Sequence, residues 1–119
     1  MLVDKEKPFY NVKQVAEILG ISDDRVRTYD EEKLVFPFRS QKGLKRLYSE
    51  LDIEWLKDVR DIIGKNKMNI YSFKLLFIIL NKISDETFNE LANKYKQDDI
   101  WLIFTRMRKN PNFAKFVNS

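Results

Sequence analysis

Residues 15–32 read VAEILGISDDRVRTYDEE. Ala16, Gly20 and Val26 stand at intervals of four and six inside an amphipathic pattern. Two helices that cross closely across a tight turn ask for a small residue where their backbones approach. They also ask for a residue that tolerates positive φ in the turn, and an aliphatic residue on the second helix facing back. Val15, Leu19, Ile21 and Tyr29 supply the surrounding apolar positions. A helical hairpin in an ordinary bundle satisfies the same pattern. Five acids, Asp23, Asp24, Asp30, Glu31 and Glu32, also sit poorly on a surface meant to meet phosphate. The stretch by itself leaves both readings open.

The flanking residues extend the pattern. Asn11 is a good N-cap, and Gln14 three residues on completes a capping box for a helix whose apolar stripe is Val12, Val15, Ala16 and Leu19. Gly20 ends that helix, and Ser22 caps a second one over 23–32 with Val26 and Tyr29 inward. The next segment, KLVFPFRSQKGLKRLYS at 33–49, changes character. Pro37 excludes a helix interior, apolar and basic residues interleave, and QKG at 41–43 supplies a turn, so a two-stranded hairpin is expected at 36–48. From Ser49 or Leu51 the pattern is helical again, with Ile53, Leu56, Val59, Ile62 and Ile63 on one face and Gly64 as the stop. Further helices are expected at 69–83, from Ser84, and from Asp98–Asp99. Residues 85–109 thus split at QDDIW into two short pieces, Pro111 breaks the pattern, and the tail holds one more turn.

Composition narrows the chemistry. The 119 residues allow one domain, or one with a short appendage, and 44% hydrophobic residues with two Trp, five Tyr and nine Phe suffice for a core. Cysteine and histidine are both absent, which removes disulfides, thiolate sites, the commonest general base and the commonest metal ligand. No nucleophile–base pair, phosphate loop or calcium-type loop appears, so no catalytic residue, no metal and no cofactor is expected, and an enzyme is the least supported class. The first ten residues carry no apolar run of signal-peptide length. The longest apolar block, LLFIIL at 75–80, is too short to span a bilayer, so a soluble cytoplasmic protein with no membrane partner is expected. The net charge is +4, and its excess lies in two places: Arg39, Lys42, Lys45 and Arg46 within an acid-free window from Val35 to Ser49, and the tail from Arg106. Such segments suit a polyanion, although solvated lysine-rich loops look the same in isolation.

A helix-turn-helix followed by a basic hairpin is a winged arrangement. The run from Asn11 to Ile63, NVKQVAEILGISDDRVRTYDEEKLVFPFRS through KRLYSELDIEWLKDVRDII, resembles the DNA-binding domain of MerR-family transcriptional regulators, and the resemblance covers about Tyr10 to Leu80. It implies DNA-contacting roles for Arg27 and Tyr29 of the second helix, for Arg39 after the proline, and for Arg46 and Tyr48 of the wing. Arginine and tyrosine give directional bonds to phosphate oxygens, which set register rather than sequence. Arg25 and Thr28, near the start of the second helix, are the candidates for base edges, and Lys42 and Lys45 add charge at the hairpin. Asp23 and Asp24 suit the positive end of the helix dipole, and Asp24 could instead accept from a cytosine amino group. Asp30, Glu31 and Glu32 are expected where the helix leaves the groove. Tyr29 is either a contact or a core residue with its hydroxyl at the surface.

Three positions depart from the family pattern. Thr28 stands where a tyrosine is usual, Lys33 replaces a glycine, and GLKRLY is one residue longer than the usual wing. The expected fold is therefore mainly α: a winged helix-turn-helix with a small two-stranded β-hairpin wing, followed by additional C-terminal helices. Residues 1–80 form the DNA-binding domain and 81–119 a helical segment that serves as dimerisation element or cap. Trp101, Leu102, Phe104, Phe113 and Phe116 suit either a partner helix or closure of the monomer core. The expected function is sequence-specific binding of double-stranded DNA in transcription regulation, as the homodimer that the resemblance implies, with no effector identified. The alternatives are an accessory factor for phage or plasmid DNA (excision, packaging or segregation) on the same fold, and a helical protein-interaction module.

Overall fold

A computed structural model describes residues 4–40, 42–43 and 45–119. Gln41 and Leu44 lie outside the described residues, and with them part of the expected QKG turn and of the lengthened GLKRLY segment. The order of elements is α1 (Val12–Leu19), α2 (Asp23–Glu31), β1 (Phe38–Arg39), β2 (Arg46–Leu47), α3 (Glu50–Arg60), α4 (Ile70–Lys82), α5 (Asp85–Lys94), α6 (Asp99–Lys109) and α7 (Pro111–Val117). This is the mainly α helix-turn-helix with a hairpin and further C-terminal helices that the sequence predicts.

Local chemistry explains the helix-turn-helix. Asn11 accepts from the Gln14 backbone at 2.9 Å and the Gln14 side chain accepts from the Asn11 backbone at 2.9 Å, so both halves of the capping box form. Gly20 adopts φ +68°, and Ile21 N–H then reaches back to the Ala16 carbonyl at 3.1 Å. Ser22 accepts from Arg25 N–H at 3.1 Å and starts α2. Val15, Ala16, Leu19, Val26 and Tyr29 are all buried where the two helices meet. Arg60 of α3 donates to the Leu19 carbonyl at 2.6 Å and satisfies an end of α1 that would otherwise lack a partner.

Lys33, where the family pattern has glycine, takes the left-handed conformation itself, with φ +60°. Its N–H bonds to the Asp30 carbonyl at 2.9 Å, and Leu34 N–H to the Tyr29 carbonyl at 2.8 Å, so the chain leaves α2 along a glycine-like path despite the side chain. A side chain in this region costs roughly 1–2 kcal/mol. Lys33→Gly is therefore expected to raise stability by up to about 1 kcal/mol after the glycine's own entropy is subtracted, as thermal unfolding would measure.

The hairpin is minimal. Phe38 pairs with Leu47 and Arg39 with Arg46, antiparallel. Two residue pairs have no independent stability, and the structure clips the second strand from outside. Tyr10 and Tyr48 exchange backbone hydrogen bonds at 2.9 and 2.7 Å, and Phe9 N–H adds a third at 3.0 Å. Beneath it, the fully buried Trp55 donates its indole N–H to the Leu34 carbonyl at 2.6 Å, tying α3 to the connection between α2 and the hairpin.

Two boundaries differ from expectation. Gly64 does not stop the third helix: a π-helical turn, Asp61–Lys65, continues it, and both the N–H and the side-chain amide of Asn66 bond the Asp61 carbonyl. Pro111 ends α6 but also opens α7 as its first residue, with Asn110 capping. Of the apolar residues that suited either a partner or the core, Phe104, Phe113 and Phe116 are buried around Phe77, Trp101 is half-buried against Phe88 and Tyr95, and Leu102 is exposed. Asp58 on α3 accepts from Arg106 at 3.1 and 2.5 Å, and Asp52 accepts from Asn112 at 2.9 Å, so α6 and α7 also hold α3 through its two buried carboxylates. Among the described residues no helix is long and apolar enough to cross a membrane.

Candidate nucleic-acid interface

The start of α2, the start of α1 and the second strand of the hairpin enclose one cleft. It is lined by Phe9, Asn11, Lys13, Asp23, Arg27, Lys45 and Arg46 among others. Four of these are cations and one is an acid, so the cleft favours an anion. Arg27 and Arg46, from separate elements, thus line the same cleft. Lys13, Phe9 and Asn11 were not among the expected contacts, because nothing in their spacing shows that the chain before α1 returns to the hairpin.

Along α2 the exposed positions are Asp24, Arg25, Thr28 and Glu31, with Arg27 half-buried. Arg27 pairs with Asp24 at 3.2 Å, and the Thr28 hydroxyl donates to the Asp24 carbonyl at 2.9 Å. The threonine proton is thus already engaged, and its hydroxyl faces a partner chiefly as an acceptor. Asp24, whose side chain is 95% exposed, is drawn toward Arg27 and sits in the first turn, where the dipole favours it. Lys42 and Lys45 are exposed on the hairpin.

Arg39 and Arg46 share one carboxylate. Asp30 Oδ2 accepts from Arg39 Nη2 at 2.6 Å and also from Arg46 Nε, while the Arg46 Nη2 lies 3.9 Å from Glu31 Oε1. The Asp30 side chain is only 6% exposed. This corrects the reading of Asp30 as one of three acids leaving a groove: Glu31 and Glu32 are exposed, but Asp30 is buried under the hairpin. Its spacing carried the signal, since positions 26, 29 and 30 are the inward side of a helix at i, i+3 and i+4.

Tyr29 and Tyr48 lie inside the molecule. Tyr29 is 2% exposed and Tyr48 wholly buried, and both hydroxyls are buried without a hydrogen-bond partner among the described residues. Burial pushes both hydroxyls above their ordinary range. Near Tyr29 the Arg25 charge partly offsets this, whereas near Tyr48 the Asp30 charge adds to it. Both stay protonated, and each supports the face from below. Tyr48→Phe removes a buried unsatisfied hydroxyl and is expected to match or exceed the original stability by about 1 kcal/mol, with duplex affinity unchanged. Denaturant melts and a binding titration check the two parts.

Among the described residues no group of three or more carboxylates converges on a metal position. The face offers directional N–H donors and positive charge.

Comparison with known proteins agrees with the fold. The sequence profile described as the MerR HTH family regulatory protein matches residues 10–72, from the segment clipped to the hairpin to the first turn of α4. The HTH-type transcriptional regulator TnrA of Bacillus subtilis is 38% identical over 55 residues, which are 46% of this chain and 49% of TnrA. The HTH-type transcriptional regulator GlnR of Bacillus anthracis is 25% identical over 105 residues, 88% of this chain and 75% of GlnR. The chain spans about half the length of the first of these relatives. With the profile covering the helix-turn-helix, the hairpin and α3, the chain belongs to the MerR helix-turn-helix family of regulatory proteins.

Proposed function

We propose that this protein regulates transcription by binding double-stranded DNA sequence-specifically. The observation that carries the reading is the cleft where Lys13, Arg27, Lys45 and Arg46 gather from α1, α2 and the hairpin. In this reading α2 enters the major groove, with Arg25 and Thr28 toward base edges. Arg27, Arg39, Lys42, Lys45 and Arg46 bond phosphates on either side. Tyr29 and Tyr48 hold the frame from within and make no contact themselves. Residues 81–119 act as a cap on the DNA-binding unit of residues 1–80, because Phe104, Phe113 and Phe116 are spent on the core. A homodimer completes the proposal. Tyr71, Leu75, Ile78 and Ile79 leave an exposed apolar stripe on α4, at helical spacing, for a second copy. The protein works in the cytoplasm, without catalytic activity.

Selecting bound duplexes from a random pool tests the reading. Enrichment of one sequence is expected, and enrichment of its inverted repeat reports the dimer. Affinity for the selected duplex is then expected to fall about ten-thousandfold between 50 and 200 mM salt if the dimer neutralises roughly eight phosphates, four per protomer. No enrichment, or a titration insensitive to salt, rejects the proposal.

A further inference from the structure

Arg39 and Arg46 are direct cross-strand partners on the hairpin. Two like charges placed opposite each other repel, and a hairpin of two pairs has little stability to spare against that. Asp30 reaches between them from α2, accepting from both guanidiniums with the same oxygen. It therefore offsets the repulsion and fixes the hairpin relative to α2. Each guanidinium has five N–H donors, and Asp30 engages one of each, so both arginines keep donors for an outside acceptor. The Arg39 and Arg46 side chains are 45% and 21% exposed, respectively, above a carboxylate that is itself covered. Asp30 is thus shielded from a bound phosphate while holding the groups that would bond it.

We propose that Asp30 is a positioning residue that sets sequence specificity by locking Arg39 and Arg46 in register with the exposed face of α2. The proposal rests on the DNA-binding reading. A carboxylate beneath the cationic face lowers its attraction for any duplex, because less charge remains to displace counterions. The same carboxylate fixes where two phosphates must lie when α2 meets its base pairs, so a duplex of wrong sequence or shape cannot satisfy both at once. A residue with only a structural role would weaken binding to all duplexes together.

The test compares a selected duplex with a scrambled duplex of equal length, using the original chain and Asp30→Asn. The asparagine keeps the shape and removes the charge. The expected result is scrambled-duplex binding several-fold tighter at low salt, and a selected-to-scrambled affinity ratio about tenfold smaller, the loss of one oriented contact. An unchanged ratio in a variant that melts cooperatively overturns the inference. Should Asp30→Asn fail to fold, Asp30→Glu keeps the charge and displaces it by one methylene. The ratio is again expected to fall, with scrambled-duplex affinity unchanged, and an unchanged ratio again overturns the proposal. If the original chain binds neither duplex, the DNA reading itself is what has failed.

Discussion

Phe77→Ala is expected to cost about 3–5 kcal/mol, a large share of the 5–15 kcal/mol that holds a domain folded. Phe77 is 1% exposed and stacks on Phe73 with ring centroids 4.4 Å apart. Its edges meet Trp55, Phe104, Phe113 and Phe116 at 5.7–6.2 Å, so one side chain joins α3, α4, α6 and α7. Truncation leaves a cavity whose walls are rigid rings on four helices, and such walls collapse poorly into a void. Leu102 on α6 is 57% exposed, and Leu102→Ala is expected to stay within about 0.5 kcal/mol of the original. Urea unfolding of the pair measures both effects, and equal losses would contradict the packing described here.

Arg46→Ala is expected to weaken duplex binding by about 1–3 kcal/mol, and to lower the dependence on salt by about one counterion. Arg46 lines the cationic cleft and also holds Asp30, so its removal strips a phosphate donor and loosens the hairpin together. Asp30 keeps Arg39 as a partner in this variant, so the buried carboxylate is not left bare and folding survives. Fluorescence anisotropy across a salt series separates the lost charge, which flattens the slope, from lost geometry, which does not. Wild-type affinity in Arg46→Ala would remove the hairpin from the interface.

Much of this arrangement was legible from residue spacing, because the helix-turn-helix imposes strict steric demands at a few positions. Ala16, Gly20 and Val26 meet them, and Pro37 with the basic run that follows leaves few alternatives to a hairpin. Positions whose role depends on distant partners were harder to read. Tyr48 looks like a surface residue of an alternating strand, but the backbone of Tyr10 closes over it, and no local pattern announces a bridge across 38 residues. Asp30 stands at inward helical spacing, but the acidic run around it hides this, and the two arginines that partner a buried acid come from the hairpin. Lys33 looked like a departure from the family's turn, yet the backbone bonds around it hold the left-handed geometry and the lysine complies. The π-helical turn at Asp61–Lys65 depends on which carbonyl Asn66 selects, a choice that apolar periodicity does not record.

The bond from Trp55 to the Leu34 carbonyl has an optical consequence. That indole is shut away from water and bonded to the peptide that follows α2. Its emission therefore senses whether the joint between α2 and the hairpin is closed. Trp101, half-buried and stacked on Tyr95, colours the same spectrum from the other end of the chain. Replacing Trp101 with phenylalanine would leave Trp55 as the single tryptophan, and a duplex that reorganises the hairpin would then be visible as a change in tryptophan emission without any attached dye.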